Sequence, residues 1–410
     1  MAEFQVQLEK YAALAVEVGV NVQPGQTLVV TAPLAAAPFV RSVARKAYAA
    51  GAKNVHVEWN DDELTRIKYE QAPDEAFLEY PMWRAKGWEE MAENNAAFLS
   101  VIASNPDLLN GIDPERIANA NKTAGQALHK YRSYAMSDKV SWSVIAVPSP
   151  GWASKVFPEI EAGKQEDALW DAIFAATRVN EPDPVGAWKA HTAKLDERAD
   201  FLNRKKYKAL RYKAEGTDLV VELAENHLWV SGGSVNAAGT PFVANMPTEE
   251  VFTAPKKDGV NGVVKSTKPL SYGGNLIKDF SLTFENGRIV KLEAAQGQAV
   301  LQRLVDTDEG SAYLGEVALV PHRSPISDTN IVFYNTLFDE NASSHLAIGK
   351  AYAFCLEGGK TMSEEELQAA GLNHSITHVD FMIGAADMSI DGELPDGTLE
   401  PLFRNGNWAI

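Results

Sequence analysis

The sequence predicts an α/β N-terminal domain with a largely parallel sheet, followed by an α+β C-terminal domain. Three observations carry that expectation. Over residues 27–178, strand-like apolar runs alternate with helix-length segments, the order that builds parallel strands joined by crossover helices. Beyond residue 203 the texture changes to extended runs joined by tight turns, with Glu285-Asn286-Gly287 as the clearest hairpin cue. Between the two textures lies Glu181-Pro182-Asp183-Pro184, followed by Gly186, which reads as a hinge or loop. The expected domains are therefore residues 1–185 and 186–410.

The elements follow in order. Phe4, Leu8, Tyr11, Ala12 and Ala15 fall near helical spacing before Gly19. Pro24-Gly25 marks a turn, and Thr27 to Thr31 reads as a buried strand. Pro38 opens a helix through Ala50 that Gly51 closes. Asn54 to Trp59 is the next strand, which completes a βαβ unit. Helices follow near Asp62–Gln71 and Trp83–Asn94, then a strand over Ala97–Ala103, a helix over Pro114–Met136, a strand over Val140–Val147 and a helix over Gln165–Arg178. After a helix through Asn203, Arg211–Ala214 and Asp218–Leu223 flank Glu215-Gly216-Thr217, and Phe280–Phe284 and Arg288–Leu292 flank the Asn-Gly turn. Gln296 to Val305 looks helical.

Composition narrows the function classes. The 410 residues are 45% hydrophobic and 23% charged, ample for a packed core in each domain. Fifty-five acidic against 38 basic side chains leave a net charge of −17, which argues against nucleic acid or an anionic membrane surface as partner. The single cysteine, Cys355, rules out an intrachain disulfide and a thiolate metal cage. The start, Met1-Ala2-Glu3-Phe4, has no basic segment leading into an apolar run, and no stretch reaches a membrane-spanning length. A cytoplasmic protein is expected.

Familiar catalytic motifs are missing. No G-x-G-x-x-G follows a strand, and Gly359-Lys360-Thr361 fails as a phosphate loop because its first glycine position is Phe354. There is no G-x-S-x-G elbow and no His-Glu-x-x-His. What remains is acid and imidazole in four contexts. His378-Val379-Asp380 sits in an apolar strand, so both side chains face one way. In Asp339-Glu340-Asn341-Ala342-Ser343-Ser344-His345, a serine is expected to cap a helix, with His345 in its first turn, Glu340 in the entering loop and Tyr352 two turns further on. Thr248-Glu249-Glu250 leads into a short strand and, if extended, sends its two carboxylates to opposite sides. Glu316 interrupts the apolar run Leu314–Pro321.

Each context alone has an ordinary structural explanation: a buried His–Asp hydrogen bond, a helix cap, a surface carboxylate pair, an acid paired with a base. Together, Glu250, Glu316, Glu340, His345, His378 and Asp380 supply four carboxylates and two imidazoles, a ligand mix suited to Zn, Co or Mn, with Mg as a further option. Six such groups fit a pair of ions bridged by one carboxylate. Without cations, four acids sharing a cavity repel and partly neutralise by protonation.

The same segments carry a family likeness. Asn245-Met246-Pro247-Thr248-Glu249-Glu250-Val251-Phe252-Thr253, Leu314-Gly315-Glu316-Val317, Glu340-Asn341-Ala342-Ser343-Ser344-His345 and His378-Val379-Asp380-Phe381-Met382-Ile383-Gly384 resemble the thermophilic-type metalloaminopeptidases, aminopeptidases T and S. The likeness extends to Leu8-Glu9-Lys10-Tyr11-Ala12 and Val22-Gln23-Pro24-Gly25-Gln26. It implies a metal-binding C-terminal domain with two divalent ions per chain, in a cytoplasmic homodimer that removes N-terminal residues from peptides with broad specificity. By position it implies Glu250, Glu316, Glu340, His345, His378 and Asp380 as metal ligands, with Glu316 as the bridge and Tyr352 near the ions. The expected chemistry runs through a metal-bridging hydroxide, with Tyr352 donating a hydrogen bond to the oxyanion and Glu249 as candidate general base. A nucleotide-using enzyme and a catalytically silent, metal-stabilised scaffold are the rival classes.

Overall fold

A computed structural model describes residues 2–103, 105–272 and 275–410. The chain forms two compact units, one of Met1–Ala190 with Gly233–Pro247, the other of His191–Gly232 with Thr248–Ile410.

The first unit is built on a five-stranded sheet in the order Asn245–Met246, Trp142–Ala146, Ala97–Ile102, Thr27–Pro33, Asn54–Asn60. Every neighbouring pair is parallel. The continuous apolar run Leu28-Val29-Val30 is fully buried, as a strand covered on both faces requires. Pro38 lies in the first turn of the Ala37–Ala49 helix, and helices over Asp62–Gln71, Met82–Glu93 and Gln165–Ala176 stand where the sequence places them. The single helix expected over 114–136 is two, Pro114–Ala127 and His129–Met136, divided at Leu128, whose φ of −90° and ψ of 4° leave helical geometry.

The unit boundary differs from a cut between 185 and 186. Glu181-Pro182-Asp183 forms a bend that leads into the 22-residue helix Pro184–Lys205, with proline at its first position and Asp183 Oδ1 accepting from Gly186 N at 3.0 Å. Proline and an acidic cap are helix-start chemistry as much as loop chemistry. Residues 233–247 return to the first unit, where Asn245–Met246 adds the edge strand and Asn236 Nδ2 donates to Ser141 Oγ at 2.9 Å.

The second unit carries two antiparallel sheets. The larger, of nine strands, contains both expected hairpins. Asn286 and Gly287 have φ of 46° and 82°, the left-handed pair that a two-residue hairpin turn demands. The smaller sheet has the order His378–Met382, His345–Gly349, Leu314–Leu319, Val251–Thr253, Val230–Ser231. Val251, Val317, Leu319, Leu346, Ile348 and Phe381 from it pack into one buried cluster. Among the described residues, no helix is long and apolar enough to cross a membrane.

His345 corrects one expectation. It begins a strand and does not sit in a helical first turn. Ser344 caps nothing: its hydroxyl donates to Val320 O at 2.9 Å and accepts from Val320 N at 3.1 Å, tying the segment to the neighbouring strand. The following Leu346-Ala347-Ile348 is fully buried and paired on both sides, and that tertiary pairing outweighs the local helix-start pattern.

Candidate metal centre

Register places the acids and imidazoles on one face of the smaller sheet. Glu316 lies opposite Ala347, which lies opposite Asp380; Ala318 lies opposite His345, and Gly349 opposite His378. Directly opposed residues share a face, as do residues two apart in a strand. One face of this sheet is therefore apolar core, while the other carries Glu316, His345, His378 and Asp380, with the small side chains of Ala318 and Ala347 between them.

The ligand atoms converge. His345 Nε2 lies 3.2 Å from Glu250 Oε2 and 3.3 Å from Glu316 Oε1. His378 Nε2 lies 3.6 Å from Glu316 Oε2 and 3.5 Å from Asp380 Oδ1. Two groups able to hold a cation result, Glu250–Glu316–His345 and Glu316–His378–Asp380, with ligand atoms in each within 4.8 Å of one another. Glu316 belongs to both.

The remaining ring nitrogens are committed. His345 Nδ1 donates to Ser343 O at 3.0 Å, and His378 Nδ1 donates to Lys350 O at 2.7 Å. Backbone acceptors at Nδ1 hold each ring in the tautomer whose Nε2 lone pair is free for a metal. Asp380 Oδ1 is buried without a hydrogen bond, a costly state for a carboxylate oxygen that lacks a cation. Oxygen and imidazole donors, no thiolate, and a carboxylate shared between two groups fit divalent ions of the Zn, Co or Mn type.

Without ions the cluster holds protons instead. Burial raises Glu316, against the pull of His345 and His378. Burial also drives Glu340 well above the usual carboxylate range, aided by the charges of Asp380 and Glu250. Burial would lower the imidazoles, but Glu250 and Glu316 raise His345 well above its ordinary value, and Asp380 and Glu316 push His378 up to about 9. Asp380 resists burial and is lowered, because His378 and His345 flank it.

The other predicted residues fall around this centre. Glu340 belongs to neither three-residue group, but it feels the charges of Asp380, Glu250 and His345. Its Oε1 accepts from Asn341 Nδ2 at 3.3 Å, while Asn341 Oδ1 accepts from Glu249 N at 2.8 Å. Tyr352 reaches the site from a turn after the His345 strand, not along a helix face; its ring lies 4.6 Å from that of His378. Burial raises its hydroxyl, and the charges of Glu316, Asp380, Glu340 and Glu250 raise it further. Glu249 and Glu250 diverge, the first with Oε2 3.5 Å from His191 Nε2.

Sequence reasoning missed His191 and Asn341. Neither stands in an apolar strand or beside a second imidazole, so spacing carried no signal for them. It also missed the bulge at Gly315, where the pairing shifts between Leu314 and Glu316. A Cβ on Gly315 would stand 2.2 Å from Lys350 O and 2.4 Å from Gly349 O, and this close backbone approach is the one signal a glycine offers.

A family model for thermophilic metalloproteases, M29, matches residues 4–408. With the fold, that match defines a metalloprotease. The chain is 63% identical to aminopeptidase AmpS of Bacillus subtilis (strain 168), covering all of both chains. It is 56% identical to aminopeptidase 2 of Geobacillus stearothermophilus, covering 100% of this chain and 99% of the relative. Wild-type AmpT from Thermus thermophilus has the same fold, with a TM-score of 0.94 at 43% identity over 99% of this chain and 100% of that one. The chain belongs to the M29 family of thermophilic metalloproteases and is a metalloaminopeptidase.

Proposed function

We propose that the protein removes single residues from the free N-terminus of peptides with broad side-chain tolerance. It would use two divalent ions held by Glu250, Glu316, Glu340, His345, His378 and Asp380, with Glu316 shared. The observation that carries this reading is the split of the Glu316 carboxylate, with Oε1 3.3 Å from the His345 imidazole and Oε2 3.6 Å from that of His378. The full-length relatives are aminopeptidases by name, which supplies the reaction class.

Two divalent ions held by these ligands would supply Lewis acidity toward a substrate carbonyl and make water more acidic. The protein's own residues do the rest. Tyr352, its hydroxyl held protonated by burial and surrounding negative charge, donates a hydrogen bond to the carbonyl oxygen as it gains charge. Glu249, at 4% exposure and anchored through its backbone N to Asn341, carries a proton to the leaving amine. His191 donates from Nε2 to Thr248 O at 2.8 Å and so holds the backbone just before Glu249, whose Oε2 lies 3.5 Å from the same nitrogen. The same reading carries a homodimer in the cytoplasm, which sedimentation and fractionation test.

Metal analysis with chelation tests the core claim. About two ions per chain are expected in untreated protein. Hydrolysis of leucine and alanine amides should vanish on exhaustive chelation and return with Co²⁺ or Zn²⁺. Persistent turnover in metal-free protein overturns the reading; metal binding with no turnover on any N-terminal substrate favours a structural metal scaffold.

A further inference from the structure

We infer that Phe252 and Phe354 wall the pocket that takes the first side chain of the substrate, so that large apolar and aromatic N-terminal residues are preferred within the tolerated range. The inference rests on the aminopeptidase reading above and deepens it.

Three observations lead there. First, Phe252 lies directly opposite Ala318, which lies directly opposite His345. It therefore stands on the face that carries the acids and imidazoles, away from the apolar core to which its neighbour Val251 belongs. Between Phe252 and the acids and imidazoles that face carries only the small, fully buried Ala318 and Ala347, whereas Phe252 itself is only partly buried.

Second, Phe252 belongs to a continuous aromatic surface that starts at the candidate metal centre. The Tyr352 ring lies 4.6 Å from His378, Phe354 stacks on Tyr352 at 5.1 Å and 9°, and Phe252 meets Phe354 edge-on at 6.0 Å and 80°. Tyr352 and Phe354 are likewise partly accessible. Third, beneath these rings lies a separate buried cluster of mostly small side chains, including Ala254, Ala351 and Cys355. The rings are thus supported from below without being enclosed.

A free α-amine and first carbonyl drawn to the ions and Tyr352 leave the first side chain within reach of the surface next to Tyr352, which is Phe354 and then Phe252. Aromatic and branched aliphatic side chains gain dispersion contacts and lose hydrated area against such a wall. A methyl or hydrogen reaches neither ring.

The test uses the full-length, Co²⁺-loaded enzyme with phenylalanyl, leucyl, alanyl and glycyl aminomethylcoumarin amides, together with calorimetric binding of free phenylalanine and alanine. Wild-type kcat/KM should favour phenylalanyl and leucyl over alanyl substrates. Phe354→Ala and Phe252→Ala should each lower that preference, read as the phenylalanyl-to-alanyl ratio of kcat/KM, by about tenfold. Phe354→Leu and Phe252→Leu, which keep an apolar core contact should the alanine variants not fold, should shift the ratio from phenylalanyl toward leucyl substrates. An equal fall for all four substrates would mean that the rings only brace Tyr352, and would overturn the inference. So would a wild-type preference for alanyl or glycyl. If no substrate turns over, the aminopeptidase reading fails by itself; the pocket then stands or falls on whether phenylalanine binds more tightly than alanine and loses that advantage in the variants.

Discussion

Leu314 and Glu316 stand two residues apart in one strand yet face opposite sides of the sheet. Leu314 pairs opposite Ile348 and is buried in the apolar core, whereas Glu316 pairs opposite Ala347 and meets both imidazoles. Strict alternation would put them on the same side. The extra residue at Gly315 changes the phase, as a bulge does, so that one short strand both anchors the core and presents the shared carboxylate.

Gly315→Ala should therefore cost both stability and activity. A Cβ there would press on Lys350 O and Gly349 O at 2.2 and 2.4 Å, and overpacking against fixed atoms costs about 1–3 kcal/mol. Thermal unfolding should show a lower midpoint, and metal analysis a lower ion content. A variant with wild-type values for both would show that the bulge tolerates a side chain.

Glu316→Gln and Glu250→Gln should differ in kind. Glu316 belongs to both candidate cation groups and Glu250 to one, so the first change should deplete both ions and the second mainly one. Even residues behind the ligands are worth about 10–100-fold in metal affinity or activity, and losing the shared ligand should exceed that. Metal content per chain, read with kcat/KM, separates the two variants. His378→Ala should likewise abolish most turnover while circular dichroism shows the fold retained.

Chelated protein should lose stability as pH rises from neutrality. In the ion-free cluster, His378 is raised from 6.5 to about 9, because Asp380 and Glu316 outweigh the effect of burial. Its contribution is fully present below pH 6.5 and is lost as pH climbs through about 9. Ions replace those protons, so the loaded enzyme should lack this loss, and adding Zn²⁺ to chelated protein in weak buffer should release protons. Melting curves at pH 6.5 and 9, with and without metal, check the sign; a chelated protein that gains stability over this range contradicts it.

Tyr352→Phe should lower kcat by about 10²–10³, the usual cost of removing one oxyanion donor, with KM little altered. The ring keeps its stacking on Phe354 and its contact with His378, so structure and metal content should survive. Steady-state kinetics and ion analysis on the same preparation decide this, and an unchanged kcat would remove Tyr352 from the chemistry.

The parallel sheet of the first unit and the Asn-Gly hairpin of the second were legible in the sequence because each of these elements reports its own environment. Leu28-Val29-Val30 is apolar throughout because both faces of its strand are covered, and Asn286-Gly287 turns because only such residues accept positive φ cheaply. The ion-binding candidates were legible for a different reason: carboxylates and imidazoles in apolar strands carry a desolvation cost that something must offset. Where local chemistry admits two outcomes, the sequence was read wrongly. Ser343-Ser344 before His345 has helix-cap character, yet pairing with Val320 makes it a strand entry, whereas Glu181-Pro182-Asp183 is the bend the sequence suggests and Pro184 opens the helix that runs to Lys205.

By itself, then, the sequence determined which segments bury apolar surface and which residue types come forward for chemistry, since propensity and desolvation act over a few neighbouring residues. Only the tertiary structure decided the face of Glu316, the strand beneath His345, the return of Asn245–Met246 to the first sheet, the approach of Tyr352 to His378 and the nearness of His191 to Glu249. These depend on strand register and on contacts between residues tens to hundreds of positions apart, and a shift of one residue in pairing turns every side chain of a strand to the other face.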